Sequence, residues 1–72
     1  MITKEDVSNN EEKYYKYFDW IEKLRQSGVT NMYGAVPYIQ DHFLITDEEA
    51  TVLLVYWMNH YNDLFEKRGW KR

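Results

Sequence analysis

The stretch LRQSGVTNMYGAVPY, Leu24 to Tyr38, closes one helix, reverses the chain and opens a second. Gly28 follows Ser27 and suits the left-handed conformation that terminates a helix. Val29 is then placed to fold back onto Leu24, the usual apolar contact of such a cap. Thr30 and Asn31 are good N-cap residues for a second helix. Pro37 is tolerated in a first helical turn, where its missing N–H needs no partner. The second helix is therefore expected to start near Gly34 or Ala35, with Met32 and Tyr33 in an irregular turn before it.

Upstream, Ser8 followed by Glu11 has capping-box spacing, so the first helix is expected to begin there. Residues 1–7 show no periodic pattern and read as a flexible leader to a single domain of residues 8–72. From Glu11 to Gln26 the apolar residues recur at steps of three and four, gathering Tyr14, Tyr17, Phe18, Ile21 and Leu24 on one stripe, with Trp20 at its edge. Tyr15, Asp19 and Glu22 fall outside the stripe. Glu12–Lys16 and Asp19–Lys23 are favourable four-residue pairs, each contributing roughly 0.2–0.5 kcal/mol.

Downstream, Val36, Ile39, Gln40 and Phe43 mark the inner face of the second helix. Thr46 with Glu49 forms another capping box, and Asp47, Glu48 and Glu49 complement the dipole of a third helix. That helix is expected to run from Asp47 to Arg68, where Gly69 stops it and Trp70 folds back onto Phe65. Its inner stripe is Ala50, Leu53, Leu54, Trp57, Tyr61, Leu64 and Phe65, with Met58 at the margin. The pattern implies an all-α, compact three-helix domain with the C-terminal helix longest and central. Its expected core includes Tyr14, Phe18, Ile21, Leu24, Ile39, Phe43, Leu53, Leu54, Trp57 and Tyr61.

Composition explains how so small a domain would hold together. A chain of 72 residues buries only about 60% of the surface it exposes when unfolded. Cysteine is absent, which removes disulfides and thiolate metal sites together. Aromatic residues make up 18% of the chain, and each buries roughly 150–250 Å², so a few of them build a core. The net charge of −3 argues against general nucleic-acid binding, which needs a basic field. No segment has the apolar run of a signal peptide or a membrane span. The sequence thus reads as a cytoplasmic protein.

One apolar group exceeds what the core needs. Val52, Val55 and Tyr56 point away from the inner stripe, toward the face that carries Asn59, Asn62 and Asp63. Val52 to Met58 is apolar nearly all round, which implies burial on more than one side. Either the first two helices wrap the third from two directions, or these residues meet another chain, a partner or a second copy, or they are scattered exposed apolar residues that need no explanation.

Residue types for chemistry are sparse. His42 and His60 lie on different helices with no local ligand spacing around them. Asp47, Glu48 and Glu49 sit where capping alone would place them. No phosphate loop, nucleophile elbow or H-E-x-x-H pattern is present. The reading is therefore a non-enzyme with no catalytic, cofactor-binding or metal-binding residues and no cofactor.

A helix-turn-helix pattern spans Tyr38 to Trp57. Ile39, Phe43, Ile45, Ala50 and Leu53 match the spacing that joins the two helices of a DNA-reading motif, with Leu44 where such motifs often carry Gly. A recognition helix presents its N-terminal residues to the major groove. Here those are acidic, while Lys67, Arg68, Lys71 and Arg72 lie at the far end, where they suit the helix dipole.

The run Ser27 to Met58, SGVTNMYGAVPYIQDHFLITDEEATVLLVYWM, resembles small uncharacterised proteins of bacteriophages and bacterial genomes. The resemblance rests on Ser27 to Met32, Tyr33–Gly34–Ala35, Pro37–Tyr38, Ala50 and Trp57–Met58. It implies a phage or prophage setting, hence the host cytoplasm, and supplies no activity. Relatives in this group tend to carry a basic residue near the start of the last helix, where this chain has Asp-Glu-Glu.

The sequence thus points to a small interaction or regulatory module that binds a protein partner or itself. A nucleic-acid-binding regulator is the alternative. The candidate interaction surface is Met32, Tyr33, Gly34, Val52, Val55 and Tyr56.

Overall fold

The computed structural model describes residues 1–31 and 34–70. Among them are five α-helices and one 3₁₀ segment, so the fold is all-α but not three-helical. Helix α1 spans Lys4–Asn9, the 3₁₀ turn Glu11–Tyr14, α2 Tyr15–Ser27, α3 Val36–Phe43, α4 Asp47–Asn59 and α5 Tyr61–Arg68.

The expected leader is a structural element. Thr3 accepts a hydrogen bond from the Asp6 N–H at 3.1 Å, capping α1, and Glu5 and Asp6 complement its dipole. Val7 is completely buried. Ser8 is consequently inside α1 rather than at a helix start. Asn10 breaks the chain there, and its amide donates to the Asp6 carbonyl at 3.0 Å.

The stop signals read from the sequence act as expected at the backbone. Gly28 has φ 70° and Gly69 has φ 65°, both left-handed. Val29, however, stays 57% exposed, so the expected burial against Leu24 is absent. Trp70 does fold back: its N–H reaches the Phe65 carbonyl at 3.3 Å and its ring lies 5.9 Å from that of Tyr61. Thr46 and Glu49 form the complete capping box of α4, each donating its N–H to the other's side chain at 3.1 Å. The second Glu49 oxygen accepts the Ile2 N–H at 3.0 Å, fastening the start of the chain to the start of α4.

The expected long third helix is divided at His60, which has φ −117° and ψ 21°. The Tyr56 carbonyl receives the His60 backbone N–H at 3.0 Å and lies 3.1 Å from His60 Nδ1.

Helix α4 is central, packing against α1, α2, α3 and α5. The core comprises Val7, Tyr14, Phe18, Ile21, Leu24, Ala35, Ile39, Ala50, Leu53, Leu54, Tyr56, Trp57 and Leu64. Phe43 and Tyr61, expected inside, are half-buried at its margin. Phe43 instead joins α3 to α2, with its ring 4.4 Å from Tyr17 and 5.4 Å from Trp20.

Leu44 ends α3 in the left-handed conformation, φ 55°, and is 86% exposed. A leucine there strains the backbone without burying its side chain. Replacing Leu44 with Gly relieves that strain but loosens the unfolded chain, so the net gain is about 0.5–1 kcal/mol. A urea titration is expected to show a higher midpoint at unchanged slope for Leu44→Gly. A lower midpoint would mean that Leu44 is held by contacts that offset the strain.

Candidate interaction surface

Of the six residues singled out by sequence, Met32 and Tyr33 lie outside the described residues. Gly34 has a structural explanation, contrary to expectation. Its N–H donates to the Asn31 side chain at 2.9 Å, and a Cβ at this position would sit 2.6 Å from Thr30 Oγ1. The close approach of the Thr30 hydroxyl gives glycine a structural reason at this position.

The three helix residues divide. Tyr56 is 5% exposed and belongs to the core, not the surface. Helix α1 and the 3₁₀ turn cover the face of α4 that a three-helix bundle would have left open. The Tyr56 ring stacks between Phe18, at 5.5 Å, and His60, at 4.0 Å. Val52 is half-buried, and Val55 is 46% exposed. Around these two runs a small apolar groove of about 200 Å³, edged by Lys4, Thr51, Asn59 and His60. Among the described members of the expected surface, Val55 is thus the one that most clearly faces solvent.

The Tyr56 hydroxyl donates to Glu11 at 2.6 Å. Glu11 also accepts from Lys67 at 2.8 Å and from Tyr15 at 3.3 Å, so one carboxylate links the 3₁₀ turn to α4, α5 and α2. Burial pushes the Glu11 carboxyl up, but these hydrogen bonds outweigh it and hold it below its ordinary value. Burial, then the Glu11 hydrogen bond, pushes the Tyr56 hydroxyl up to about 12. The hydrogen bond from Tyr14 to Asp6, reinforced by burial, likewise pushes Tyr14 up to about 12.

The face of α2 outside its apolar stripe receives α5. Asp19 takes a two-point contact from Arg68 at 3.1 and 2.7 Å and the Trp70 indole N–H at 2.8 Å. Glu22 is almost fully buried. It accepts from Arg25 at 3.0 and 2.7 Å, Gln26 at 2.8 Å and Tyr61 at 3.4 Å. Lys67 and Arg68 therefore have intramolecular carboxylate partners beyond the helix dipole. Asp19, expected to pair with Lys23, has Arg68 as its close partner.

These carboxylates are engaged structurally. Among the described residues no group of three His, Asp or Glu side chains is placed to hold a metal ion. No described helix is long and apolar enough to cross a membrane. Trp57 Nε1 is buried without a hydrogen-bond partner among the described residues, a desolvation cost of about 1–3 kcal/mol.

The helix-turn-helix spacing is realised as packing. Ile39, Ala50 and Leu53 are fully buried between α3 and α4, and Phe43 and Ile45 border them. The helix that would enter a groove in DNA is nevertheless surrounded by its own chain. Comparison with protein-family models, curated proteins and solved structures finds no match.

Two signals for what was missed do lie in the sequence. Thr3-Lys4-Glu5-Asp6 is a short capping pattern ahead of apolar Val7. The acids Glu11, Asp19 and Glu22 anticipate the basic end of α5, although no local spacing connects them.

The linked groups give stability a pH window. Glu11, Asp19 and Glu22 have lowered values in the fold, so their stabilisation is present above the ordinary 3.8–4.5 range and is lost as pH falls below it, through the lowered folded values. Tyr14 and Tyr56 are raised, so theirs is present below pH 10 and is lost between 10 and about 12. Thermal melts should be flat from about pH 5 to 9 and fall on both sides. Tyr56→Phe should lower the plateau by about 1 kcal/mol and flatten the alkaline fall. An unchanged alkaline limb would refute the role of Tyr56.

Proposed function

We propose that this chain is a small helical protein-interaction module with no catalytic activity of its own. Its partner surface is centred on Val55 in the groove between α1 and α4. The exposure of Val55 and half-exposure of Val52 on the most buried helix of the fold carry this reading. The methyl groups of Val52 and Val55, edged by Thr51, Asn59, His60 and Lys4, suit an apolar side chain of a partner. The resemblance over Ser27 to Met58 adds the expectation that the protein is phage- or prophage-encoded, with a host protein or a second copy as partner.

The test is substitution at Val55 alone, because Tyr56 is part of the core. Val55→Asp should leave the thermal midpoint nearly unchanged, since exposed substitutions usually stay within about 0.5 kcal/mol. It should abolish crosslinks formed in the native cell by a photoreactive group installed at Thr51. Equal crosslinking by the native chain and the Val55→Asp variant would remove the groove from the argument.

The α3–turn–α4 geometry favours one alternative, a nucleic-acid-binding regulator. The enclosure of α4 and the three acids in its first turn weigh against it. A mobility-shift titration at low salt, where phosphate attraction is strongest, should show no retarded duplex. A retarded band that disappears as salt is raised would favour the alternative.

A further inference from the structure

The outer side of α3 carries a second surface that shares no residue with the Val55 groove. A shallow depression of about 560 Å³ lies between α2 and α3, lined by Trp20, Pro37, Tyr38, Asp41 and His42. It adjoins another that shares Pro37 and Asp41 and ends at the exposed Leu44. Together they follow α3, whose eight residues extend about 12 Å.

The walls are largely aromatic. Trp20 stacks on His42 at 4.4 Å and 16°, and Phe43 meets both rings edge-on at 5.4 and 4.7 Å. Tyr38 is 43% exposed. Trp20 and Tyr38 both line the depression, and neither the Trp20 indole N–H nor the Tyr38 hydroxyl has a hydrogen-bond partner among the described residues. Asp41 is exposed and carries no ion pair among those residues.

We propose that this trough binds an extended, proline-rich segment of a partner with a basic residue beside the prolines. Four residues of polyproline II span about 12 Å, the length of α3. Such a segment presents flat pyrrolidine rings to aromatic walls and unpaired carbonyl oxygens to donors such as Trp20 and Tyr38. Asp41 supplies the charge for a flanking Arg or Lys. A helical ligand would leave both donors unused, because its carbonyls are already bonded within the helix.

The test uses the full chain, ¹⁵N-labelled, with the synthetic blocked peptide PPPPR as probe. Its signals are the indole N–H resonances of Trp20, Trp57 and Trp70. PPPPR should shift the Trp20 resonance and leave those of Trp57 and Trp70 in place. Tyr38→Ala should weaken binding about tenfold, as expected for loss of an aromatic anchor. PPPPQ should bind more weakly than PPPPR to the native chain and equally to Asp41→Asn. Both substitutions are at exposed positions, and an unchanged melt confirms that the fold is intact. The proposal is overturned if millimolar PPPPR leaves Trp20 unmoved, if the flexible control GSGSR shifts it equally, or if Trp57 responds in its place. A dimer seen by light scattering and dispersed by Tyr38→Ala would assign the trough to a second copy and overturn it too.

Discussion

Burial of Tyr56 is the constraint on which the rest of this structure depends. Helix α4 is apolar nearly all round between Val52 and Met58, so it is stable only when covered from several sides. Covering the Tyr56 side removes a phenol from water, and its hydroxyl then requires an acceptor. Glu11 provides it, and the same carboxylate takes Lys67 and Tyr15. One buried hydroxyl thereby fixes where the N-terminal segment lies, and the acid that satisfies it fixes where α5 returns. The Ile2–Glu49 bond fastens the other end of the same segment.

The two sides of α2 show different kinds of association. Its apolar stripe packs into the core by shape, through Phe18, Ile21 and Leu24. Its polar side meets α5 through Asp19, Glu22 and their partners. Ion pairs as exposed as Arg68–Asp19 contribute only about 0–1 kcal/mol, so they direct α5 more than they stabilise it. Glu22 differs because it is buried, and loss of a partner there would leave a charged group partly unsatisfied. Helix α5 has one fully buried side chain, Leu64, which places it at the low end of local stability.

What was legible in the sequence was local. The Thr46–Glu49 box, the two left-handed glycines and the Phe18–Ile21–Leu24 stripe follow from spacing within one or two helical turns. What was not legible depended on contacts distant in sequence. Val7 is a single apolar residue in a polar segment, and its burial comes from the surface that α4 offers much later in the chain. The break at His60 has no Gly or Pro to announce it. The candidate surface was half legible for the same reason. A pattern shows that Val52, Val55 and Tyr56 share a side of a helix, but not that α1 will cover Tyr56 and stop short of Val55.

The aromatic residues separate the inside of this fold from its outer surfaces more sharply than burial does. Tyr14 donates to Asp6, Tyr15 and Tyr56 to Glu11, Tyr61 to Glu22 and Trp70 to Asp19. In each case a carboxylate completes the polar end of a ring whose body packs inward. Among the described residues Tyr17, Trp20, Tyr38 and Trp57 make no such bond. Trp57 is enclosed in the core. The other three gather where α2 meets α3, around Phe43 and the trough beside it. Tyr14, Tyr15, Tyr56, Tyr61 and Trp70 are matched to acids, whereas these three have no acid among the described residues. Their donors are left to water or to a ligand that brings acceptors of its own.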